Sequence, residues 1–292
     1  YRSLRIYPTM IKNILFCTDG SSYSQEALKY TAWVASSTQA KGTALYVSDL
    51  RRFEMPTIMD VGGSLGIQPY QSLISALQDA EKQKADLIEE FSRKGFADAG
   101  LTSEIQFRTT TGLLSDTIEE IEDEFDLVVM GKRGESAEHA IDHIGSTLER
   151  VVRRSTRPCL VTNRKFRDVR TVAFAFDNGS SSQKILSVLE NSMWLKNLPI
   201  HLLSVVEDQQ SEDLMTKKLK DAESRLQNAG YTVQSEMLGG VAEEAISDYV
   251  DRASIDLLLM GAYGHTRIRR FLIGSTTTEM LRRCRIPVLC VH

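Results

Sequence analysis

One strand-and-turn pattern occurs twice in this chain, and it limits what the chain can fold into more than any other feature. Near the C-terminus the apolar run Leu257-Leu258-Leu259-Met260 leads into Gly261-Ala262-Tyr263-Gly264 and, after nine intervening residues, Gly274-Ser275-Thr276. About 130 residues earlier, Leu127-Val128-Val129-Met130 leads into Gly131-Lys132-Arg133-Gly134 and then Gly145-Ser146-Thr147. Glycines after a strand let backbone N–H groups approach a ligand closely, and re-entry into a helix presents an N-terminus that favours an anion. Repetition of the whole pattern in order marks a duplication, with one candidate phosphate site in each copy.

The length of 292 residues suits two domains, each with its own core. Apolar runs of four or five residues alternate with helical-period segments, which predicts parallel sheets covered by helices on both faces. In the first copy strands are expected at residues 14–17, 44–47, 103–109 (a half-exposed edge), 127–130 and 159–162. Helices are expected at 22–38, 70–98, 113–124 and 146–155. The second copy repeats the order, with strands at 172–176, 201–205, 233–237, 257–260 and 288–291.

Anchor positions pair directly. Asp19 and Asp177 are 158 apart, as are Val47 and Val205, whereas Gly112 and Gly240 are 128 apart and Pro158 and Pro287 are 129 apart. The first copy therefore carries about 30 extra residues between Val47 and Gly112. The expected architecture is two tandem Rossmann-like, doubly wound α/β domains, residues 10–164 and 165–292. Each is a five-stranded, mostly parallel sheet of order 3-2-1-4-5. Asn163 to Asp168 reads as the linker, and Met10 as the natural start, with residues 1–9 an extension or tag remnant ahead of it.

Bulk properties narrow the partners. A net charge of −4 gives no general attraction to nucleic acid or acidic membranes, and no apolar run approaches the ~20 residues of a membrane span. Cys17, Cys159, Cys284 and Cys290 form no C-x-x-C pair, and three lie in strand-like apolar runs, so buried reduced thiols in a cytoplasmic protein are expected. Cys284 is the exception to weigh, because Arg282, Arg283 and Arg285 around it would lower a thiol pKa. His139 and His143 are four apart beside Glu138 and Asp142, but no third ligand accompanies them, and no metal site is expected.

In doubly wound sheets, ligands settle beyond the C-terminal strand ends where the strand order reverses. Strands 1 and 4 end there, carrying Thr18-Asp19-Gly20-Ser21 with Gly131 in one copy and Asp177-Asn178-Gly179-Ser180 with Gly261 in the other. A carboxylate suits ribose hydroxyls, and glycines with a following hydroxyl suit phosphates; together they suggest a nucleoside phosphate. Asp19 and Asp177 are equally suited to capping the helix that follows. Tight strand-to-helix turns also need glycine whatever binds there.

Gly-x2-Gly-x9-Gly-Ser in the second copy resembles the ATP-binding signature of the universal stress protein family. It is joined by a first strand ending in Asp, by Gly-x-x-x-Glu at Gly240 to Glu244, and by Arg-x-Pro-x-x-x-Val around Pro287. The resemblance spans nearly the whole chain as two copies. It implies ATP, with or without Mg2+, as the ligand. Asp177 and Val205 would meet the nucleoside, and Gly261, Gly264, Gly274, Ser275 and Thr276 the phosphates. The matching first-copy set is Asp19, Val47, Gly131, Gly134, Gly145, Ser146 and Thr147. It further implies pairing of the two last strands as an intrachain pseudo-dimer, with a homodimer of chains as a further level of assembly.

The copies differ. Ten residues separate Gly134 from Gly145, one more than in the second copy. The first loop is acidic (Glu135, Glu138, Asp142) and the second basic (Arg267, Arg269, Arg270), so the second is expected to be the better ATP site. The leading expectation is a nucleotide-dependent stress sensor acting on an unidentified protein partner, with no catalytic residues. The alternatives are a slow ATPase or phosphoryl carrier using Ser275 or Thr276, and a nucleotide-free scaffold or binder of another small ligand.

Overall fold

The computed structural model describes residues 10–48, 69–101, 105–134, 145–192, 194–206, 212–262 and 275–292. Its first copy runs β1 (Asn13–Cys17), α1 (Ser22–Thr38), β2 (Lys41–Ser48), α2 (Pro69–Asp98), β3 (Gln106–Thr111), α3 (Leu114–Ile121), β4 (Leu127–Gly131), α4 (Ser146–Arg154) and β5 (Cys159–Thr162). The second runs β6 (Val172–Ala175), α5 (Ser180–Asn191), β7 (Ile200–Val206), α6 (Glu212–Asn228), β8 (Val233–Gly239), α7 (Ala242–Arg252), β9 (Leu257–Gly261), α8 (Ser275–Arg283) and β10 (Val288–Val291). Residues 1–9 lie outside the described set.

The expected strand order holds in each copy. The ten strands form one sheet, β3-β2-β1-β4-β5-β10-β9-β6-β7-β8. Pairing is parallel within each copy and antiparallel only at the seam, where Val161, Leu160 and Cys159 face Val288, Leu289 and Cys290. The last strands of the two copies thus make the intrachain pseudo-dimer. Because that one pairing is antiparallel, strands of the two copies end at opposite edges of the sheet, and so do their carboxyl-end crevices.

Central strands are apolar without alternation because both faces are covered. Leu127, Val128 and Val129 are fully or almost fully buried. One face packs under α1, α2, α5 and α6 through Leu28, Tyr30, Phe96, Leu186 and Leu226. The other packs under α3, α4, α7 and α8 through Ile118, Leu148, Val151, Tyr249 and Met280. Strand β3 begins at Gln106 and continues to Thr111, later than its alternation suggests, because its register is set by pairing with Thr43–Ser48 of β2.

The extra residues of the first copy lengthen a helix. α2 has 30 residues and α6 has 17, and both lead to a glycine in the left-handed region, Gly100 (φ 78°) and Gly230 (φ 87°). Aligned on those glycines, the additional turns of α2 lie at its N-terminal end.

The copies also touch beyond the seam. The Trp33 and Trp194 rings lie 5.6 Å apart, and the Glu26 carboxylate accepts the linker amide of Phe166 at 2.6 Å. Lys184 Nζ donates to the His292 carbonyl at 2.7 Å. The pKa lowering weighed for Cys284 does not arise, in line with the buried thiols expected. Cys284 is buried, and burial pushes its thiol up to about 12 against a smaller opposing pull from Lys132. The flanking Arg282 and Arg283 pair instead with Glu279 at 2.5 and 2.6 Å.

Candidate functional site

The first-copy site is assembled from four loops and helix ends. Strand β1 leaves the sheet at Thr18, whose amide still bonds to the Leu45 carbonyl at 3.0 Å. Gly20 (φ 79°) then turns the chain into α1; Asn178 takes the matching place in the second copy at φ 59°, a conformation that Asn tolerates best after Gly. Asp19 Oδ1 accepts the Ser21 amide at 3.0 Å, while Ser21 is the N-cap of α1 and accepts from the Ser24 amide. The local-turn role weighed for Asp19 is therefore present. Asp177 has the same role in the second copy, accepting from the Gly179 amide at 2.8 Å and the Ser182 hydroxyl at 2.6 Å.

The glycines do different work. A β-carbon on Gly131 would come within 2.9 Å of Tyr23 Cβ, and one on Gly261 within 2.9 Å of Ser181 Cβ. Those two glycines let α1 and α5 pack onto the ends of β4 and β9, with or without a ligand. Gly134 is different. A β-carbon there would stand 2.5 Å from Asp19 Oδ2, so the turn after β4 folds back over the end of β1. Gly145 is the N-cap of α4 and provides no side-chain cap, and Ser146 and Thr147 expose the first turn of that helix.

Together these elements enclose a cleft of about 640 Å³. It brings together the whole first-copy set, Asp19, Val47, Gly131, Gly134, Gly145, Ser146 and Thr147. Its walls also include Glu81 and Lys84 of α2, which the motif spacing did not single out. Glu81 Oε2 accepts the Tyr46 hydroxyl at 2.8 Å and the Ser48 hydroxyl at 2.6 Å, and Lys84 Nζ lies 5.9 Å from the centre of the Tyr46 ring. Helix α2 therefore lines the cleft of its own copy. The only hint in the sequence is the offset between Gly100 and Gly230, which places the extension next to the end of β2.

Charge in the cleft is mixed. Asp19 and Glu81 bring carboxylates, and Lys84 and Arg133 bring cations. Lys132 also lines the cleft, but its ammonium group is committed elsewhere, donating to the carbonyls of Arg282 and Cys284 at 2.9 Å each. Burial lowers its pKa to about 8, with neighbouring arginines adding to the effect.

In the second copy, Asp177 stands exposed at the end of β6, Val205 is half-buried near the end of β7, Gly261 ends β9, and Ser275 opens α8 with Thr276 exposed after it. Gly264 and Gly274 lie outside the described residues, as do the charged loops 135–144 and 263–274 with His139 and His143. Among the described residues no group of three or more His, Cys, Asp or Glu is arranged to hold a metal ion. Nor, among them, is any helix long and apolar enough to cross a membrane.

Comparison with known proteins agrees with the duplication. The model of the universal stress protein family matches residues 10–163 and again 169–292. The universal stress protein Slr1230 of Synechocystis is 41% identical over 286 residues, covering 96% of this chain and 99% of that protein. Among solved structures, a universal stress protein from Archaeoglobus fulgidus shares the fold with a TM-score of 0.71 at 20% identity, over 96% of this chain and 97% of its own. A functionally unknown protein from Pseudomonas aeruginosa does so with a TM-score of 0.63 at 15% identity, over 97% and 93%. With two family matches in sequence and one relative similar from end to end, this chain belongs to the universal stress protein family as a tandem, two-copy member.

Proposed function

We propose that this chain binds ATP and acts as a nucleotide-dependent regulator of a stress response in the cytoplasm. The observation that carries the reading is the convergence of Asp19, Val47, Gly134 and the first turn of α4 on one cleft. Its volume, about 640 Å³, lies in the ordinary range for small-ligand sites. The fit to a nucleotide is specific in two places. Gly145 leaves the first-turn amides of α4 without a side-chain cap, which suits a phosphate. Gly134 keeps the space beside Asp19 open where any larger residue would fill it.

The chain's own residues divide the work. The Asp19 carboxylate takes a ribose hydroxyl while holding its turn, the β2 backbone at Val47 meets the base, and Ser146 and Thr147 hydrogen-bond the phosphates. Bound nucleotide ties the 131–134 turn to the start of α4. Occupancy thereby favours one arrangement of the loops over another, by the difference in affinity for the two. The second cleft, with Arg267, Arg269 and Arg270 in its loop, binds the more tightly.

The test is the nucleotide content of freshly purified protein together with calorimetric titration by ATP. Binding of one to two ATP per chain is expected. Protein that is nucleotide-free as purified and gives no heat with millimolar ATP would leave the scaffold reading in its place.

A further inference from the structure

The nucleotide contacts assigned to Asp19, Val47 and the start of α4 do not include Glu81, which lines the same cleft. We infer that Glu81 selects the sugar-and-base end of the first cleft's nucleotide, accepting a hydrogen bond from a ribose hydroxyl or an exocyclic amino group. This role rests on the nucleotide reading of the cleft.

Three observations converge. Glu81 stands in the N-terminal half of the 30-residue helix α2. It lines the same cleft as Asp19 and Val47. Its Oε2 is held by two hydroxyls on alternate residues of β2, Tyr46 at 2.8 Å and Ser48 at 2.6 Å, and both of those residues are less than a tenth exposed. The two hydroxyls orient the Glu81 carboxylate at the cleft wall. A carboxylate aimed by buried partners loses little freedom when it meets a ligand donor.

The start of α4 sets the ligand's direction: it favours phosphates, so the nucleoside lies toward β2 and α2. The second copy has no matching arrangement on its strand: Ser204 and Val206 take the places of Tyr46 and Ser48. The Ser204 hydroxyl is buried without a hydrogen-bond partner among the described residues. The two clefts therefore differ in what they require of the nucleoside.

The experiment tracks ATP binding to the full chain through the backbone amide signals of Gly112 and Gly134, which report the first cleft alone. Glu81→Gln keeps the shape and the hydroxyl contacts, and is expected to weaken ATP there about tenfold or more. With the unaltered chain, 2′-deoxy-ATP, 3′-deoxy-ATP and purine riboside triphosphate identify the donor. The one that lacks it should lose a similar factor, and that loss should vanish in Glu81→Gln. These ligand changes leave the fold untouched, so they keep the test valid even if the variant is unstable. Unchanged ATP affinity in Glu81→Gln, or equal binding of all four nucleotides, would overturn the role of Glu81 while leaving the nucleotide site standing. Absence of any ATP-induced shift in the unaltered chain would instead overturn the nucleotide reading of this cleft.

Discussion

Gly134 lies so close to Asp19 that a β-carbon on it would stand 2.5 Å from Oδ2, joining the turn after β4 to the end of β1. Gly134→Val should therefore fill the first cleft and lower ATP binding there by at least tenfold, as read by calorimetry. Gly264→Val should do the same to the second cleft and remove the larger share of total binding. Equal losses from the two changes would contradict the ranking of the sites.

Asp19 has two jobs that substitution can separate. Asp19→Asn keeps an oxygen for the Ser21 amide, so its melting temperature should match the parent. Asp19→Ala removes the acceptor and should cost about 1 kcal/mol. If the carboxylate meets a ribose hydroxyl, Asn should weaken ATP about tenfold. Full ATP affinity in Asp19→Asn would reduce the residue to a turn former.

Lys132 gives the fold a pH dependence of known sign. Its folded pKa is lowered from 10.5 to about 8, so between those values the unfolded chain holds a proton that the folded chain has released. Its contribution to stability therefore rises with pH across that window, and the cost of burying the charge is present in full below pH 8. Urea midpoints for Lys132→Met and the parent should draw apart in the parent's favour from pH 8 to pH 10. Parallel curves would place the ammonium in solvent.

The thiols should be inert in the native state. All four cysteines are buried and reduced, and burial pushes Cys159 and Cys284 up to about 12 and raises Cys17 and Cys290 as well. At pH 8 Ellman's reagent should find essentially no reactive thiol until denaturant is added, after which all four should react. Rapid native labelling of Cys284 would restore it as a redox sensor.

Much of the architecture was legible because parallel sheets write themselves as apolar runs between helices. Leu127 to Met130 and Leu257 to Met260 are such runs, and the span of α1 coincides with its helical period. Glycine spacing also pointed to the convergence at the first cleft. Glu81 and Lys84 were not legible, since charged residues on a long helix usually face water. Only tertiary packing against Tyr46 turns them inward. The turn of Lys132 toward Arg282 and Cys284 was hidden for the same reason, as it depends on a neighbour 150 residues away. Cys284 misled in the opposite way: its arginine neighbours suggested activation, but chain proximity does not ensure that their charges outweigh burial.

The antiparallel seam between β5 and β10 has a consequence for how this molecule can change. Covalent linkage holds the partner strand at a fixed, high local concentration, so dilution cannot part the halves as it would two separate chains. Neither half must remain a copy of the other to keep its neighbour. One is thereby released to lengthen a helix while the other keeps the shorter form.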